Sequence, residues 1–534
     1  MINRSRHFLI VLIILALTAS AAPAFAQTNA PPDLDAYVAR ALKEFDVPGL
    51  AVAIVKDGKV VLAKGYGVRK LGESTPVDAH TLFGIASNTK AFTAAALAML
   101  VDEGKVNWDD PVTKHLPSFQ MYDPYVTHEI TIRDLLTHRS GLGLGAGDLL
   151  WWPQTTFTRD EIVHRLRFIK PATSFRSRYA YDNVLYVVAG QVIAAVTGKS
   201  WDEVIKERIF APLGMTESNT SFSAIRAGDN FATPHSKNSG RLEAVEPFKG
   251  DNVGAAGAIN SNVTDMAKWV IAQLDNGLIR NAENGGKRLF SERQSREMWS
   301  AQTILPVNDP PPQLALLRAN FAAYGLGWGL TDYRGKKIVS HTGGLPGYVS
   351  RVTLVPDLKL GVIVLTNMEA GGAFQAITYR ILDHYFGAAE TDWITAYRAL
   401  AEQSEARAAA VEKQQSAARD ANSKPSLALA KYAGRYTDAW YGDVTINLEN
   451  DKLVLRFSHT PGLVADLEHW QYDTFVARWR DRSLGADAFV TFALKPDGQI
   501  DQVKMVAISP LTDFSFDFHD LLLLPARGAA QAPR

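Results

Sequence analysis

The chain has 534 residues, of which 47% are apolar and 21% charged; this is the composition of a folded globular protein and excludes a disordered or fibrous one. Lys plus Arg and Asp plus Glu both number 56, so no surplus of positive charge is available to neutralise a phosphate backbone, and nucleic acid is not expected as a partner. Cysteine is absent, which removes disulfides, thiolate catalysis and Cys-held zinc, and leaves a hydroxyl as the only route to a covalent nucleophile.

The first expected element is a cleaved signal peptide over 1–26. Arg4, Arg6 and His7 precede the apolar run 8–17, and Ala24-Phe25-Ala26 supplies a small-x-small cleavage pattern. About ten apolar residues are too few for a span that needs about twenty. The protein is therefore expected to be periplasmic or secreted, cut near Ala26/Gln27, with no stable membrane anchor afterwards.

From Gly49 the apolar run 50–55, Asp57-Gly58 and the run 60–63 predict a hairpin, because Asp-Gly accepts the positive φ angles of a tight turn. A second hairpin is predicted far downstream, from 350–355 and 360–365 joined by Pro356-Asp357-Leu358-Lys359. Between them the pattern is mostly helical, with helices predicted over 88–102, 132–137, 183–197 and 264–274. A sheet assembled from both ends of one unit, with helices inserted between, is an α/β sandwich with a helical subdomain. The segment 391–419 is rich in Ala, Glu, Gln and Arg and reads as a solvated helix or connector. Beyond it, short strand-like runs at 442–448, 453–457, 475–479, 489–494 and 503–508 predict a small all-β domain, plausible as a barrel. Its aromatic core candidates are Trp440, Phe457, Trp470, Phe475, Trp479, Phe489 and Phe492.

Three motifs carry chemistry. Ser87-Asn88-Thr89-Lys90 opens a helix whose next eleven residues are uncharged, so that helix is buried. Lys90 lies one turn from Ser87 on the same face, where its ammonium reaches water with difficulty. Desolvation lowers a Lys pKa, so Lys90 is suited to take the Ser87 proton. Tyr181-Asp182-Asn183 stands at the mouth of a second apolar helix; a phenol there can share a proton with the Lys, and the Asn183 amide can hold a carbonyl. His341-Thr342-Gly343-Gly344 precedes the second hairpin, and its glycines allow close backbone approach. Thr197-Gly198-Lys199-Ser200 mimics the end of a phosphate loop, but Ile193 stands where glycine is required and the tripeptide ends a helix; a helix C-cap is expected. His138 is expected to satisfy last-turn carbonyls of its helix.

The set Ser87/Lys90, Tyr181/Asn183 and His341-Thr342-Gly343 resembles the serine β-lactamase-like superfamily of class C β-lactamases, D-alanyl-D-alanine carboxypeptidases, D-aminopeptidases and related esterases. The resemblance covers about 31–388 and extends to Leu135-Leu136-Thr137-His138-Arg139-Ser140-Gly141-Leu142, Gly254-Ala255-Ala256-Gly257 and Tyr324-Gly325-Leu326-Gly327-Trp328. It implies an antiparallel sheet flanked by helices, a helical linker over 389–427, and a lipocalin-like β domain over 428–534. It further implies Ser87 as the acylated nucleophile, Lys90 and Tyr181 sharing the proton traffic in an order left open, and Asn183 binding the acyl-side amide. The backbone N–H groups of Ser87 and Gly344 would form the oxyanion hole. His341 departs from the Lys of the β-lactamase motif: a His near pKa 6.5 is mostly neutral at pH 7 and poorly suited to a substrate carboxylate.

The expected activity is hydrolysis of small amides, D-amino-acid-containing peptides or esters, without metal or cofactor. A true β-lactamase or carboxypeptidase is the alternative within the enzymes, and a non-catalytic ligand-binding or sensor protein the alternative outside them. A homo-oligomer is compatible with all three. The β domain is expected to fold on its own, to shape access or assembly, and to supply no catalytic group, since all three motifs precede residue 345.

Overall fold

Asp57 and Gly58 take φ of 52° and 73°, and the turn they make joins strands Gly49–Lys56 and Lys59–Gly67. The computed structural model describes residues 29–526 apart from 227, 239 and 281–285; the expected signal peptide, 1–26, lies outside the described residues. Strand Gly49–Lys56 is buried along its whole length. Leu50, Val52 and Ile54 join one apolar cluster with Leu34, Val38 and Ile377, while Ala51, Ala53 and Val55 join another with Met266 and Val270. A strand apolar on both faces belongs at the centre of a sheet covered on both sides. Its neighbours are the first hairpin's return strand and Leu360–Thr366 of the second hairpin.

The sheet has eight antiparallel strands. After Lys59–Gly67, Gly49–Lys56 and Leu360–Thr366 come Tyr348–Val355, Lys336–Leu345, Gly329–Tyr333, Ala322–Tyr324 and Thr303–Ile304. Helices Leu34–Glu44 and Gly371–Phe386 cover one face. Helix Val263–Leu274 and the helical subdomain cover the other. The fold is the expected α/β one, and the four expected helices are present as Thr89–Asp102, Ile132–Leu135, Val184–Thr197 and Val263–Leu274. Gly198 ends the third with φ of 69°, donating its N–H to the Ala194 carbonyl.

The connector differs from its sequence reading. Helix Trp393–Ala417 buries Trp393, Ile394 and Tyr397 at its start, and the Trp393 indole donates to Asp383 at 2.8 Å. Only the later turns are solvated.

The C-terminal unit is a nearly closed eight-stranded antiparallel barrel. Its strands run Ile500–Ala507, Ala488–Leu494, Thr474–Trp479, Val464–Gln471, Lys452–Phe457, Gly442–Glu449, Gly434–Asp438 and Leu524–Pro525. A bridge between Val503 and Leu523 brings the ends together. Trp440, Phe457, Phe475, Trp479 and Phe492 form its core. Trp470 does not: it packs tilted against Phe489 at 5.2 Å and lies under the Arg419 guanidinium at 4.8 Å, outside the barrel core.

The barrel is docked, not appended. The apolar cluster that fills the helical subdomain continues into the barrel interior. Phe157 stacks on His459 at 4.0 Å and meets Tyr441 edge-on at 5.7 Å, while Arg165 donates to the Trp440 carbonyl at 2.8 Å. The two units are thus joined by a broad side-by-side contact as well as by the connector.

Candidate active site

Ser87 sits in a single turn of 3-10 helix, Ala86–Asn88, that leads directly into helix Thr89–Asp102. Ala86 carries φ of 49°, a left-handed conformation that costs an L-residue energy and turns the chain sharply just before the serine. The turn is held by its neighbours. Asn88 Nδ2 donates to Ser350 Oγ at 2.8 Å, and Ser350 Oγ donates to the Ile85 carbonyl at 2.8 Å. Gly343 completes the fit, because a Cβ there would lie 2.2 Å from the Ile85 oxygen and 2.9 Å from Ala86 Cβ. Strand Lys336–Leu345 thereby runs against the nucleophile turn. Its pairing with Gly329–Tyr333 stops at Ser340, and Thr342 and Gly344 are exposed to the cleft.

Lys90 is fully buried. Its Nζ lies 2.9 Å from Ser87 Oγ, 2.8 Å from Asn183 Oδ1 and 3.0 Å from the Ala256 carbonyl. The Gly254–Gly257 segment thus serves the site through a backbone oxygen. Burial lowers the Lys90 pKa to about 7, against the pull of Asp148 and Asp182 in the other direction. The rings of Tyr181 and Tyr186 flank the amine at 4.9 and 5.2 Å.

Tyr181 lines the cleft with Ser87, and burial holds its phenol well above its ordinary pKa, so it is neutral. His138 fixes the segment that carries it. The His138 ring packs among Tyr179, Tyr181, Tyr186 and Tyr324, and its Nδ1 accepts the Asp182 N–H at 3.2 Å. That differs from the expected capping of its own helix: at φ of 54° the residue has left the helix and its ring turns inward. His341 is buried too, with Nδ1 against the Thr342 carbonyl at 2.5 Å and Nε2 against the Tyr324 hydroxyl at 2.9 Å. Burial, and secondarily the charge of Lys90, pushes its pKa down to about 3. His341 is a neutral part of the wall.

Asn183 departs from a freely presented amide. Its Oδ1 accepts from Lys90, and its Nδ2 donates to Asp148 Oδ2 at 2.8 Å, which leaves one amide hydrogen for a ligand. Asp148 was not singled out by sequence, although it lies in the loop 143–153. It also accepts from the Trp151 indole at 2.8 Å and from Ser515 Oγ at 2.9 Å. Burial raises its pKa to about 7 and that of Asp182 to about 8.

Ser515 belongs to the barrel, and with it Asp513 and Phe514 line the cleft. The β domain reaches the site: segment 513–517 lies over loop 145–152, with Phe516 against Trp152 at 6.1 Å and Phe514 edge-on to Tyr181 at 6.0 Å. The only sequence signal was the alternation of Phe with Asp and Ser in Asp513-Phe514-Ser515-Phe516-Asp517, which reads equally well as an ordinary strand end. The resulting cavity holds about 300 Å³ and is lined by Ser87, Trp151, Trp152, Tyr179, His341 and Phe514 among others. A second chamber of about 310 Å³ begins at Pro153 and Pro346, next to residues of the first, and reaches barrel residues Pro461 and Leu484. Among the described residues no cluster of three His, Asp or Glu side chains could hold a metal ion.

The family model described as beta-lactamase matches residues 34–386. The chain belongs to the beta-lactamase family. Residues 418–524 match a domain of unknown function, DUF3471. An unguisins hydrolase of Aspergillus campestris is 33% identical over 505 residues, which covers 89% of each chain. The fold is shared with the octameric penicillin-binding protein homologue from Pyrococcus abyssi, with a TM-score of 0.58, 24% identity, and coverage of 92% of this chain and 99% of that one. It is shared as well with the D-amino acid amidase from Ochrobactrum anthropi SV3, with a TM-score of 0.54, 24% identity, and coverage of 67% and 100%. As a member of this family the protein is a serine hydrolase.

Proposed function

We propose that the protein is exported and cleaves D-amino-acid-containing peptides, small amides or esters through an acyl-enzyme on Ser87. The observation that carries this reading is the environment of Lys90 Nζ. Two of its three partners, the Ala256 carbonyl and Asn183 Oδ1, can only accept hydrogen bonds. A neutral amine gives its two hydrogens to those oxygens, and its lone pair then faces Ser87 Oγ. With a pKa of about 7, a substantial share of the amine is in that form at neutral pH.

In the reaction, Ser87 Oγ attacks the substrate carbonyl carbon and its proton passes to Lys90 Nζ. The oxyanion is received by the N–H groups of Ser87 and Gly344. Tyr181, a neutral phenol lining the cleft beside Ser87, donates its proton to the leaving amine or alcohol as the carbon–heteroatom bond breaks, and is reprotonated from Lys90. Water then attacks the ester with the same groups reversed, releasing the acid and restoring Ser87.

The cleft favours certain substrates. Trp151, Trp152, Tyr179 and Phe514 suit an apolar side chain, and the second chamber gives room for a longer chain. The neutral His341 supplies no cation for a substrate carboxylate, which favours amides and esters over penicillins. Export rests on the pattern of residues 1–26. A panel of D-amino-acid peptides, p-nitrophenyl esters and a cephalosporin, scored by mass spectrometry, tests the reading: turnover of the first two with a transient adduct on Ser87 supports it. Preferential turnover of the cephalosporin, or a long-lived penicillin adduct, overturns it in favour of a β-lactamase or penicillin-binding carboxypeptidase.

A further inference from the structure

The acceptors around Asp148 and the donors that reach it come from both units of the chain. Asp517 of the barrel accepts the N–H of Gly147 at 2.7 Å and of Leu149 at 3.3 Å, which brackets the turn that carries Asp148. Ser515 Oγ donates to Asp148 Oδ2 at 2.9 Å, and the same oxygen takes the Asn183 Nδ2–H at 2.8 Å. Asn183 Oδ1 then meets Lys90 Nζ at 2.8 Å. All five side chains are buried. The orientation of the Asn183 amide follows from its neighbours: only its nitrogen can donate to Asp148, and only its oxygen can accept from Lys90.

We propose that Ser515 and Asp517 are positioning residues, through which the docked barrel holds Asp148 and Asn183 so that Lys90 is aimed at Ser87. The catalytic unit is then incomplete without its C-terminal partner, although every motif residue precedes residue 345. Loss of the Asp517 carboxylate frees the N–H groups of the 147–150 turn, and loss of the Ser515 hydroxyl leaves the Trp151 indole as the one other donor holding the Asp148 carboxylate against the Asn183 amide. Lys90 keeps its buried site but not a single direction, and misplacement of a reacting group by about 1 Å can cost on the order of a hundredfold in rate. This inference rests on the proposed role of Lys90 as the base for Ser87.

The test measures the rate of Ser87 modification by a fluorophosphonate, together with kcat and KM for a p-nitrophenyl ester, in the full chain. Ser515→Ala is expected to slow both modification and kcat by about ten- to a hundredfold with KM within about threefold of wild type, and Ser515→Thr to recover most of the loss. Asp517→Ala should behave like Ser515→Ala; if it fails to fold by circular dichroism, Ser515→Ala, which removes one oxygen, still decides. In an Asn183→Ala background, Ser515→Ala should add less than about a twofold effect, because both act on one path. Wild-type modification rates in Ser515→Ala, a loss confined to KM, or fully multiplicative effects of the two substitutions would each overturn the proposal. Absence of labelling at Ser87 in the wild-type protein would instead overturn the acyl-enzyme reading beneath it.

Discussion

Lys90 is an ammonium site built for an amine. Burial favours the neutral form, and the Ala256 and Asn183 oxygens use the two hydrogens that form retains. Because the pKa is lowered, the active form grows as pH rises, so acylation should increase from pH 6 to pH 8 with a midpoint near the pKa of about 7. His341 contributes nothing to that limb, since its own pKa of about 3 leaves it neutral throughout. His341→Asn should therefore keep the shape of the pH–kcat/KM profile; a midpoint displaced by a full unit would show that the imidazole titrates in the working range. Asp182 acts on stability. Its carboxyl is raised from 3.8 to about 8, and Oδ1 has no hydrogen-bond partner. The native state thus keeps a proton that the unfolded chain releases, so the stability it lends is present at low pH and drains away as pH climbs towards 8. Asp182→Asn cannot ionise, and its Tm should fall less between pH 5 and pH 8 than that of wild type; an unchanged slope would contradict the assignment. Ser87 and Lys90 were legible in sequence because a spacing of three residues at the start of an apolar helix defines their geometry. Asp148 and Ser515 were not, since a contact across 367 residues of chain leaves no local pattern.

At the scale of elements, the strand that carries His341 positions the site through the missing side chains of its glycines. A Cβ at Gly343 would overlap the Ile85 oxygen at 2.2 Å, whereas one at Gly344 meets nothing within 4 Å. Gly343→Ala should push strand and nucleophile turn apart, costing about 1 to 3 kcal/mol in stability and most of the activity. Gly344→Ala should unfold at the wild-type temperature. Thermal melts of the two, measured side by side, check this, and equal stabilities would contradict the close-approach argument. Both hairpins were readable because their turn residues fix the register, and the long helices because their apolar runs end at Gly104 and Gly198. Strand Val464–Gln471 escaped notice, as only Ala465 and Leu467 are buried in it, with Asp466 and Glu468 between and after them on the outer face of the barrel. The first turn of helix Trp393–Ala417 escaped for the opposite reason: three anchoring aromatic and aliphatic side chains precede a long polar stretch that dominates its composition.

For the molecule as a whole, the barrel is part of the hydrolase. Cutting the chain after Ala388 would expose Trp152 and Phe157, which pack against Phe516 and His459, and would remove Ser515 from Asp148 and Asp517 from the Gly147 and Leu149 N–H groups. Such a truncated protein should melt at lower temperature and label at Ser87 at least about tenfold more slowly than the full chain; identical melting and labelling would return the barrel to the role of an accessory. The two-part organisation was visible in the change of composition after Gly387, but the docking was not, because the surfaces involved are loops whose shapes depend on each other. The central claim remains that a buried, neutral Lys90 activates Ser87 for acylation. Its most direct test is the rate of Ser87 modification by a fluorophosphonate between pH 5.5 and 8.5, with the adduct located by peptide mass mapping, in wild type and in Lys90→Arg. A rate that rises through about pH 7 in wild type and is lost in Lys90→Arg, whose cation cannot give up its proton, is the predicted result. Modification of Ser87 that is independent of pH, or that survives Lys90→Arg at the wild-type rate, would contradict it.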